Sequence, residues 1–251
     1  MHFLLTNDDG IGAIGLKAMS AAALERGHTV IVCAPKTQQS ATSHHLTLTA
    51  PLLVREMPWE GGAAFAVAGT PADCARMGRL LTDRPIDFVF SGINNGENAG
   101  TAVYYSGTVS AAREARMRNL KAMAVSIEAG ADWEPLLHLG RMAVRLAERF
   151  AETELPRLAL LNLNAPGLPP KQWKELRIAP LSDAFFLDSY EKRVSPRGMP
   201  YFWLEEGLKI EPHKPGTDMA LLAEGHPVLT LISGFGDNGG FLRNALPDLK
   251  A

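Results

Sequence analysis

The sequence predicts an α/β fold built on a doubly wound, mostly parallel sheet between two layers of helices. Short apolar runs rich in β-branched residues alternate with segments of helical periodicity, which is the order that parallel strands and crossover helices require. The runs are continuously apolar, as strands buried on both faces are. Unusual polar loops follow several of these runs, at the positions where three-layer, Rossmann-like α/β/α sheets bind ligands.

The chain begins with a strand, a loop, a helix and a second strand. Phe3–Thr6 is a short apolar run, and the turn at Asn7–Gly10 leads into a helix that ends at Gly27. Thr29–Ala34 is the second strand, because the sequence TVIVCA is apolar and β-branched. The buried face of the helix is expected to hold Leu16, Met19, Ala23 and Leu24, which share one side of a helix.

The following units repeat this pattern with variations. We expect strands at Leu46–Arg55 and Ala63–Ala68, as a side hairpin, and then a helix with Thr70 as its N-cap and Pro71 at its first position. The buried stripe of that helix is predicted to contain Cys74, Met77, Gly78 and Leu81. The remaining predicted elements are a strand at Ile86–Phe90, a loop at Ser91–Gly100, a helix at Gly107–Arg118, a strand at Lys121–Ile127, a helix at Glu134–Phe150 and a last central strand at Leu158–Leu163.

After Ala165, prolines and aromatic residues interrupt the alternation of strands and helices. The turn Ser195–Gly198 predicts a projecting hairpin. We therefore expect one domain over residues 1–251, with about 180–210 as an oligomerisation arm. Its aromatic residues would form a subunit contact or fold back on their own core; they are Phe185, Phe186, Tyr190, Tyr201, Phe202 and Trp203.

The composition excludes several classes of protein. The chain has 251 residues with 25 Lys and Arg and 27 Asp and Glu, so clustered basic charge for binding a nucleic-acid duplex is not expected. We find neither a run of about 18 apolar residues nor a signal peptide, so no membrane association and a cytoplasmic location are expected. Cys33 and Cys74 are expected to be buried apolar residues rather than a disulfide or metal pair.

The candidate chemistry lies in the loops after Thr6, Ala34 and Phe90, because ligands bind beyond the carboxyl ends of parallel strands. The first loop holds the adjacent acids Asp8 and Asp9. Two converging carboxylates repel each other unless a cation or a proton lies between them. A divalent ion that prefers oxygen ligands, Mg²⁺, Mn²⁺ or Ca²⁺, fits this pair. The alternative is that one acid caps the next helix and the other is solvated.

The first loop also fits parts of two other patterns. The segment Gly10–Gly15 satisfies the G-x-G-x-x-G dinucleotide pattern, which would indicate a nicotinamide enzyme. However, Asp8 and Asp9 would face the pyrophosphate, and the second strand ends without an acid for a ribose hydroxyl. A phosphoacceptor receiver domain also has paired acids after its first strand, but it needs an Asp at a later strand end, and about half this length.

The other two loops carry neutral oxygens and an anion site. Lys36–His45 and Ser91–Asn98 contain Ser and Asn side chains that suit a hard cation. Tyr105–Val109 opens a helix, where free N–H groups and two hydroxyls favour a phosphate, although simple helix capping is the alternative. A metal ion beside a phosphate site indicates phosphoester hydrolysis.

With these loops in view, the sequence closely resembles the survival protein SurE family of metal-dependent nucleotide phosphatases. The matching segments are LLTNDDGI (Leu4 to Ile11), CAPKTQQSAT (Cys33 to Thr42), GTPADC (Gly69 to Cys74), SGINNGEN (Ser91 to Asn98), YSGTVSAAREA (Tyr105 to Ala115), RVSPRG (Arg193 to Gly198) and GTD (Gly216 to Asp218).

The resemblance implies a SurE-like fold and a site for each matched residue. The ligands of one divalent ion, Mg²⁺ or Mn²⁺, would be Asp8, Asp9, Ser40 and Asn94, with the two acids also catalytic. The phosphate would be surrounded by Asn98, Ser106, Gly107 and Thr108. The family hydrolyses nucleoside 5′-monophosphates and often also 3′-monophosphates, and some members trim polyphosphate. Its members form homodimers or homotetramers through C-terminal arms.

The expected mechanism is in-line attack on phosphorus by a water activated by the ion. The Ser106 and Thr108 hydroxyls would offset charge on the phosphoryl oxygens, and His44 is a candidate acid for the leaving ribose oxygen. A covalent phosphate on Asp9 and a nucleotide-binding module without turnover are the alternatives. The departures from the family pattern are Lys36, His44–His45, Glu97 and His226–Pro227.

Overall fold

A computed structural model of the chain describes residues 1–184, 186–187, 189–205, 209–210 and 214–233. Its strands are β1 His2–Thr6, β2 Thr29–Pro35, β3 Val54–Met57, β4 Gly62–Val67, β5 Phe88–Asn95, β6 Ala122–Ile127, β7 Leu160–Ala165, β8 Arg177–Ile178, β9 Phe186–Leu187, β10 Tyr190–Val194, β11 Pro200–Leu204, β12 Lys209–Ile210 and β13 Val228–Ile232. Its α-helices are α1 Ile14–Glu25, α2 Pro71–Gly78, α3 Gly107–Met117, α4 Trp133–Phe150 and α5 Asp218–Ala223.

The central sheet has nine strands in the order β3-β4-β2-β1-β5-β6-β7-β13-β8. The six strands from β4 to β7 in this order are parallel, and antiparallel pairing occurs only where β3 meets β4 and where β13 meets β7. The strand order reverses at β1, which lies between β2 and β5. In an open α/β sheet, such a reversal opens a crevice at the carboxyl ends of the strands.

Two helical layers cover the sheet. Helices α1 and α4 pack together on one face, and α2 and α3 pack together on the other. Successive residues of β1 point to opposite faces: Phe3 and Leu5 join the core under α1 and α4, while Leu4 joins the core under α2 and α3. The predicted three-layer α/β fold is therefore confirmed.

Both cysteines lie in the core under α2 and α3. Cys33 on β2 and Cys74 on α2 are buried and free, as the sequence predicts. Thr70 caps α2 as expected, with Asp73 completing a capping box. Within the described residues, the helices are too short or too polar to cross a lipid bilayer.

Three strand predictions need correction. The expected strand Leu46–Arg55 is wrong for most of its length, because only Val54–Met57 pairs with β4; upstream, the Thr47 N–H binds the Asp73 carboxylate instead of a strand. The predicted loop after Phe90 is in part strand, since β5 continues to Asn95 after a register shift against β6. The strand at Leu160–Ala165 is not the last of the sheet, because β13 adds beside it.

The predicted hairpin is formed by β10 and β11. The Gly198 N–H donates to the Ser195 carbonyl at 2.9 Å, and Gly198 has a φ of 81°. Every residue of both strands is exposed. The aromatic side chains of Tyr190, Tyr201, Phe202 and Trp203 therefore do not fold back on the described core, whereas Phe185 and the side chain of Phe186 lie outside the described residues.

Candidate metal and phosphate site

An open cavity of about 210 Å³ lies at the carboxyl edge of the sheet, where the loops after β1, β2 and β5 meet. This is the crevice that the strand order creates. Six of the eight predicted site residues line it together: Asp8, Asp9, Ser40, Asn94, Asn98 and Ser106. Gly107 and Thr108 are buried and do not line it, and both lie directly behind Asp8.

Asp8 is fixed by the first turn of α3. The Thr108 hydroxyl donates to Asp8 Oδ1 at 2.5 Å, and the Thr108 N–H donates to Oδ2 at 3.2 Å. Because the N-terminus of a helix carries partial positive charge, this position also favours a carboxylate electrostatically. Thr108 therefore reaches the site through Asp8, and its hydroxyl is already engaged.

Gly107 allows Asp8 to approach α3. A Cβ atom on Gly107 would stand 2.9 Å from Asp8 Cβ, 3.0 Å from Asp8 Oδ2 and 3.1 Å from Pro71 Cγ. All three distances are shorter than ordinary van der Waals contact. Only a glycine leaves room for Asp8 to approach α3 this closely. The backbone N–H of Gly107 has no hydrogen-bond partner among the described residues.

Asp9 and the end of β5 form the opposite wall. The Asn95 N–H donates to Asp9 Oδ2 at 3.3 Å. The Asn94 amide nitrogen donates to the Gly96 carbonyl at 2.7 Å, which assigns the Oδ1 oxygen of Asn94 as the free end of that amide. Asn94 therefore presents a neutral oxygen beside two carboxylates.

The ionised forms of Asp8 and Asp9 are unfavourable in this cavity unless a partner neutralises them. Burial raises the pKa of Asp8, and the Asp9 charge raises it further, although the hydrogen bonds from Thr108 act against this. Burial likewise raises the pKa of Asp9. No Lys, Arg or His is among the described residues that line the cavity, so neutralisation must come from a proton or from a bound cation.

The loop after β2 brings Ser40 to this cavity. The Gln38 side-chain amide donates to Ser40 Oγ at 3.0 Å, and the Gln39 N–H donates to the Asp8 carbonyl at 2.7 Å. The latter bond ties the loop directly to the acid pair.

Asn98 lies at the centre of a buried polar network. Its backbone N–H donates to Asn164 Oδ1 at 2.8 Å, and its side-chain amide donates to Ser126 Oγ at 2.8 Å. The amides of Asn162 and Asn164 both donate to its carbonyl. One proton of the Asn98 amide remains for a ligand in the cavity.

The donor set fits a hard divalent cation. The cavity offers two carboxylates and the neutral oxygens of Ser40 and Asn94, all of them oxygen ligands of the kind that Mg²⁺, Mn²⁺ and Ca²⁺ prefer. No group of three or more His, Cys, Asp or Glu side chains suited to a metal ion occurs in the described part of the chain. The set therefore favours an ion that keeps several waters over one that needs thiolate or imidazole ligands.

The departures from the family pattern lie outside this cavity. Lys36 and Glu97 are exposed and do not line it. His44 does not line it either, and its Nε2 pairs with Glu114 at 3.0 Å. The geometry therefore does not support His44 as the acid for the leaving oxygen. His226 is buried and pairs through Nδ1 with the Glu175 carbonyl.

Five further lining residues received no role from the sequence: Ala41, Ala102 and the polar residues Gln38, Asn95 and Tyr105. Each of the three polar residues lies next to or two positions from a predicted site residue. Their position at a strand end, in the loop after β2 or before α3 was a usable signal, since ligands bind beyond the carboxyl ends of parallel strands. Polar type alone could not select them, because loops are polar everywhere.

The sequence profile of the survival protein SurE family matches residues 3–187 of the chain. The chain belongs to this family. A 5′-nucleotidase SurE from Desulfovibrio desulfuricans is 42% identical over 247 residues, which cover 96% of this chain and 96% of that protein. A 5′-nucleotidase SurE from Desulfitobacterium hafniense is 38% identical over 238 residues, which cover 92% and 90% of the two chains.

A solved SurE structure shares the whole architecture. The crystal structure of the SurE protein from Aquifex aeolicus matches with a TM-score of 0.82 and 28% identity, over 98% of this chain and 99% of that chain. The resemblance to the SurE family and the fold class expected from the sequence are therefore both confirmed.

The glycine pattern of this SurE-family chain has a packing explanation. A Cβ atom on Gly15 would stand 2.0 Å from the Ile93 carbonyl oxygen, so this glycine lets α1 approach β5. Gly10 has a φ of 97°, which the turn after β1 requires. Two of the three glycines in the G-x-G-x-x-G segment thus serve the fold without a dinucleotide.

Proposed function

We propose that the cavity hydrolyses nucleoside 5′-monophosphates, with one Mg²⁺ or Mn²⁺ ion held by Asp8, Asp9, Ser40 and Asn94. The protein is an enzyme of the 5′-nucleotidase class, as its SurE relatives are named. The observation that carries the assignment of the site is the pair of adjacent acids in the cavity, buried Asp8 at the N-terminus of α3 and half-buried Asp9. The described residues that line the cavity include no basic side chain for an anionic substrate, and a cation between the acids and the phosphate accounts for both charges.

The acids have separate tasks in this proposal. Both oxygens of Asp8 accept hydrogen bonds from Thr108, so Asp8 is held rigidly and is a poor nucleophile. Asp9 accepts one longer bond, from the Asn95 N–H, and keeps an oxygen free for the cation. When bound, such an ion supplies Lewis-acid stabilisation of phosphoryl oxygens and a more acidic water. A carboxylate that holds a cation is a poor nucleophile, so a covalent phosphate on either acid is disfavoured.

The phosphate is bound by Asn98, Ser106 and Gly107, with Thr108 acting through Asp8. Ser106 Oγ accepts the Val109 N–H at 3.1 Å, which leaves the hydroxyl proton of Ser106 to donate. The free N–H of Gly107 and the remaining proton of the Asn98 amide add two more donors. Donors in fixed positions stabilise charge that develops on the phosphoryl oxygens without a reorganisation cost.

The hairpin of β10 and β11 is proposed as an oligomerisation arm of a homodimer or homotetramer. Cross-strand partners share a face, so Tyr190 with Leu204, Val194 with Pro200 and Phe202 with Lys192 form one largely apolar surface. An isolated two-stranded ribbon is marginally stable in water. Contact with a second copy would bury this surface and explain why it is apolar.

A cytoplasmic location is proposed from the way the chain uses its cysteines. Cys33 and Cys74 are both buried in the core under α2 and α3. Cysteines that serve as apolar core residues rather than as a disulfide framework are typical of proteins from reducing compartments.

The deciding experiment is release of inorganic phosphate from AMP, GMP, UMP and CMP in EDTA and then with Mg²⁺ or Mn²⁺. We expect release only with an added ion, and Asp8→Asn and Asp9→Asn to abolish it in a folded protein. Substrates 3′-AMP and tripolyphosphate would test the wider range that the family resemblance implies. Nucleotide binding without release under all conditions would favour the non-catalytic binding module and contradict the proposal.

A further inference from the structure

Glu114 on α3 is a buried carboxylate with two arginine partners and one histidine partner. Its side chain is 3% exposed. It pairs with His44 Nε2 at 3.0 Å, Arg76 Nε at 2.9 Å and Arg118 Nε at 3.0 Å. The three partners come from the loop after β2, from α2 and from the end of α3, so one carboxylate holds three parts of the chain together.

The loop that contains His44 is the one that presents Ser40. Ala41 and Ser43 have φ values of 55° and 52°, a region that side chains with a Cβ rarely adopt. Such residues persist only where surrounding contacts hold them in place. The loop residues near Ser40 therefore need anchors on both sides.

The structure contains anchors on both sides of Ser40. Before Ser40, the Gln39 N–H donates to the Asp8 carbonyl. After Ser40, the Ser43 N–H donates to the Tyr105 carbonyl at 3.0 Å, and the Ser43 hydroxyl donates to the Tyr104 carbonyl at 2.8 Å. His44 then pairs with Glu114. Of these contacts, only the last joins the loop to a charged and buried side chain.

Helix α3 holds both Asp8 and the loop that presents Ser40. Thr108 in its first turn holds Asp8, and Glu114 two turns later holds His44. The distance between the two supports is set by the rigid rise of the helix. A shift of the loop relative to Asp8 is thereby resisted.

We propose that Glu114 and His44 are positioning residues of the active site, whose hydrogen bond anchors the loop 38–45 so that Ser40 Oγ lies at the acid pair. This inference rests on the proposed function, because it takes Ser40 as a ligand of the cation. It assigns His44 a role through Ser40 and not through contact with the substrate.

The test measures Mn²⁺ binding without substrate, by titration calorimetry on the full-length protein. His44→Ala removes the anchor, and His44→Gln keeps a side-chain N–H donor for Glu114. Arg118→Gln is the matched control, because it removes another partner of the same carboxylate without touching the loop. We expect His44→Ala to weaken Mn²⁺ binding by about 10-fold, the loss typical of a group that orients a metal ligand. His44→Gln should recover most of that loss, and Arg118→Gln should bind Mn²⁺ as the wild type does.

Two results would overturn the inference while the proposed function stands: wild-type Mn²⁺ affinity in His44→Ala, or an equal loss in Arg118→Gln. Thermal melts of all variants in EDTA show whether each one is folded, and His44→Gln keeps the comparison usable if His44→Ala is not. If the wild type neither binds Mn²⁺ nor releases phosphate, the proposed function fails, and this inference fails with it.

Discussion

The Thr108 hydroxyl lies 2.5 Å from Asp8 Oδ1, although the two residues are 100 positions apart in the sequence. The contact joins the loop after β1 to the first turn of α3, which follows β5. It is possible because β1 and β5 are neighbours in the sheet. The acid that the sequence places after the first strand is therefore oriented by a residue that follows β5, on the other side of β1 from β2.

Replacing Thr108 with Val should impair the site without changing its shape. Val has the same branched shape, but it leaves Asp8 Oδ1 without its hydroxyl partner. We expect a decrease in kcat/KM of about 10- to 100-fold, as for loss of a group that orients a metal ligand. Phosphate release from AMP at several Mn²⁺ concentrations would measure it. Thr108→Ser, which keeps the hydroxyl, should retain most of the activity; equal losses in both variants would contradict this explanation.

Gly107→Ala should displace Asp8. The added methyl group would meet Asp8 Cβ at 2.9 Å and Pro71 Cγ at 3.1 Å, so one of these groups has to move. A crowding change of this kind costs about 1–3 kcal/mol of unfolding free energy, and we expect activity to fall by more than about 100-fold because a 1 Å displacement of a reacting group has that effect.

Gly12→Ala is the matched control for this prediction. Gly12 lies in the loop after β1, and a Cβ atom there has no neighbour within 4 Å. Urea unfolding and phosphate release should be close to wild type for Gly12→Ala and reduced for Gly107→Ala. Normal activity in Gly107→Ala would mean that Asp8 does not need its position beside α3.

The strands and helices around the sheet were predictable because their signals are local. Thr29–Ala34 and Glu134–Phe150 need only their own periodicity to be recognised, and the structure confirms both within one residue. The errors occur where contacts with residues far away in the sequence determine the local structure. The segment before Val54 is apolar enough for a strand, but the Asp73 carboxylate takes the Thr47 N–H, and polar Asn95 stays in β5 because β6 supplies its partner.

The residues proposed to hold the cation were predictable for a different reason. Parallel strands end at one edge, so polar residues after β1, β2 and β5 had to meet. The supports behind them were not predictable, because Glu114 and His44 are 70 positions apart and neither has a local pattern that links them. The family resemblance likewise assigned Thr108 to the phosphate, and only the contact distance places it on Asp8.

Asp9→Asn should stabilise the protein in EDTA and remove its response to Mn²⁺. Burial raises the pKa of Asp9, which means that folding disfavours the ionised carboxylate, whereas the amide of Asn carries no charge to bury. For the wild type, Mn²⁺ at about 100 times its dissociation constant should add about 2.7 kcal/mol. Thermal melts with EDTA and with Mn²⁺ would measure both effects.

Glu97→Gln is the control for the Mn²⁺ response. Glu97 is an exposed carboxylate near the site that does not line the cavity, and its loss should leave the Mn²⁺ shift unchanged. A weaker shift in Glu97→Gln would place a second cation site at this loop. An undiminished shift in Asp9→Asn would remove Asp9 from the ligand set.

The Glu114 cluster should make stability depend on pH in acid. Burial acts to raise the pKa of Glu114, but the bonds from His44 and Arg118 and the charge of Arg76 outweigh it, so the pKa lies below the ordinary value of 4.5. A lowered carboxyl pKa stabilises the folded protein fully above the ordinary value, and that stability is lost as the pH falls through the lowered pKa. Glu114→Gln mimics the protonated state, so it should lower the unfolding free energy by roughly 1–3 kcal/mol at pH 7.

The difference between wild type and Glu114→Gln should therefore shrink as the pH falls below 4.5. Urea unfolding at pH 7, 5 and 3.5 would measure it. Glu25→Gln is the control, because Glu25 and its partner Arg141 are 41% and 44% exposed, and exposed pairs contribute less than about 1 kcal/mol. A difference for Glu114→Gln that stays constant over this pH range would show that packing, rather than the charge of the carboxylate, stabilises the junction of α2, α3 and the Ser40 loop.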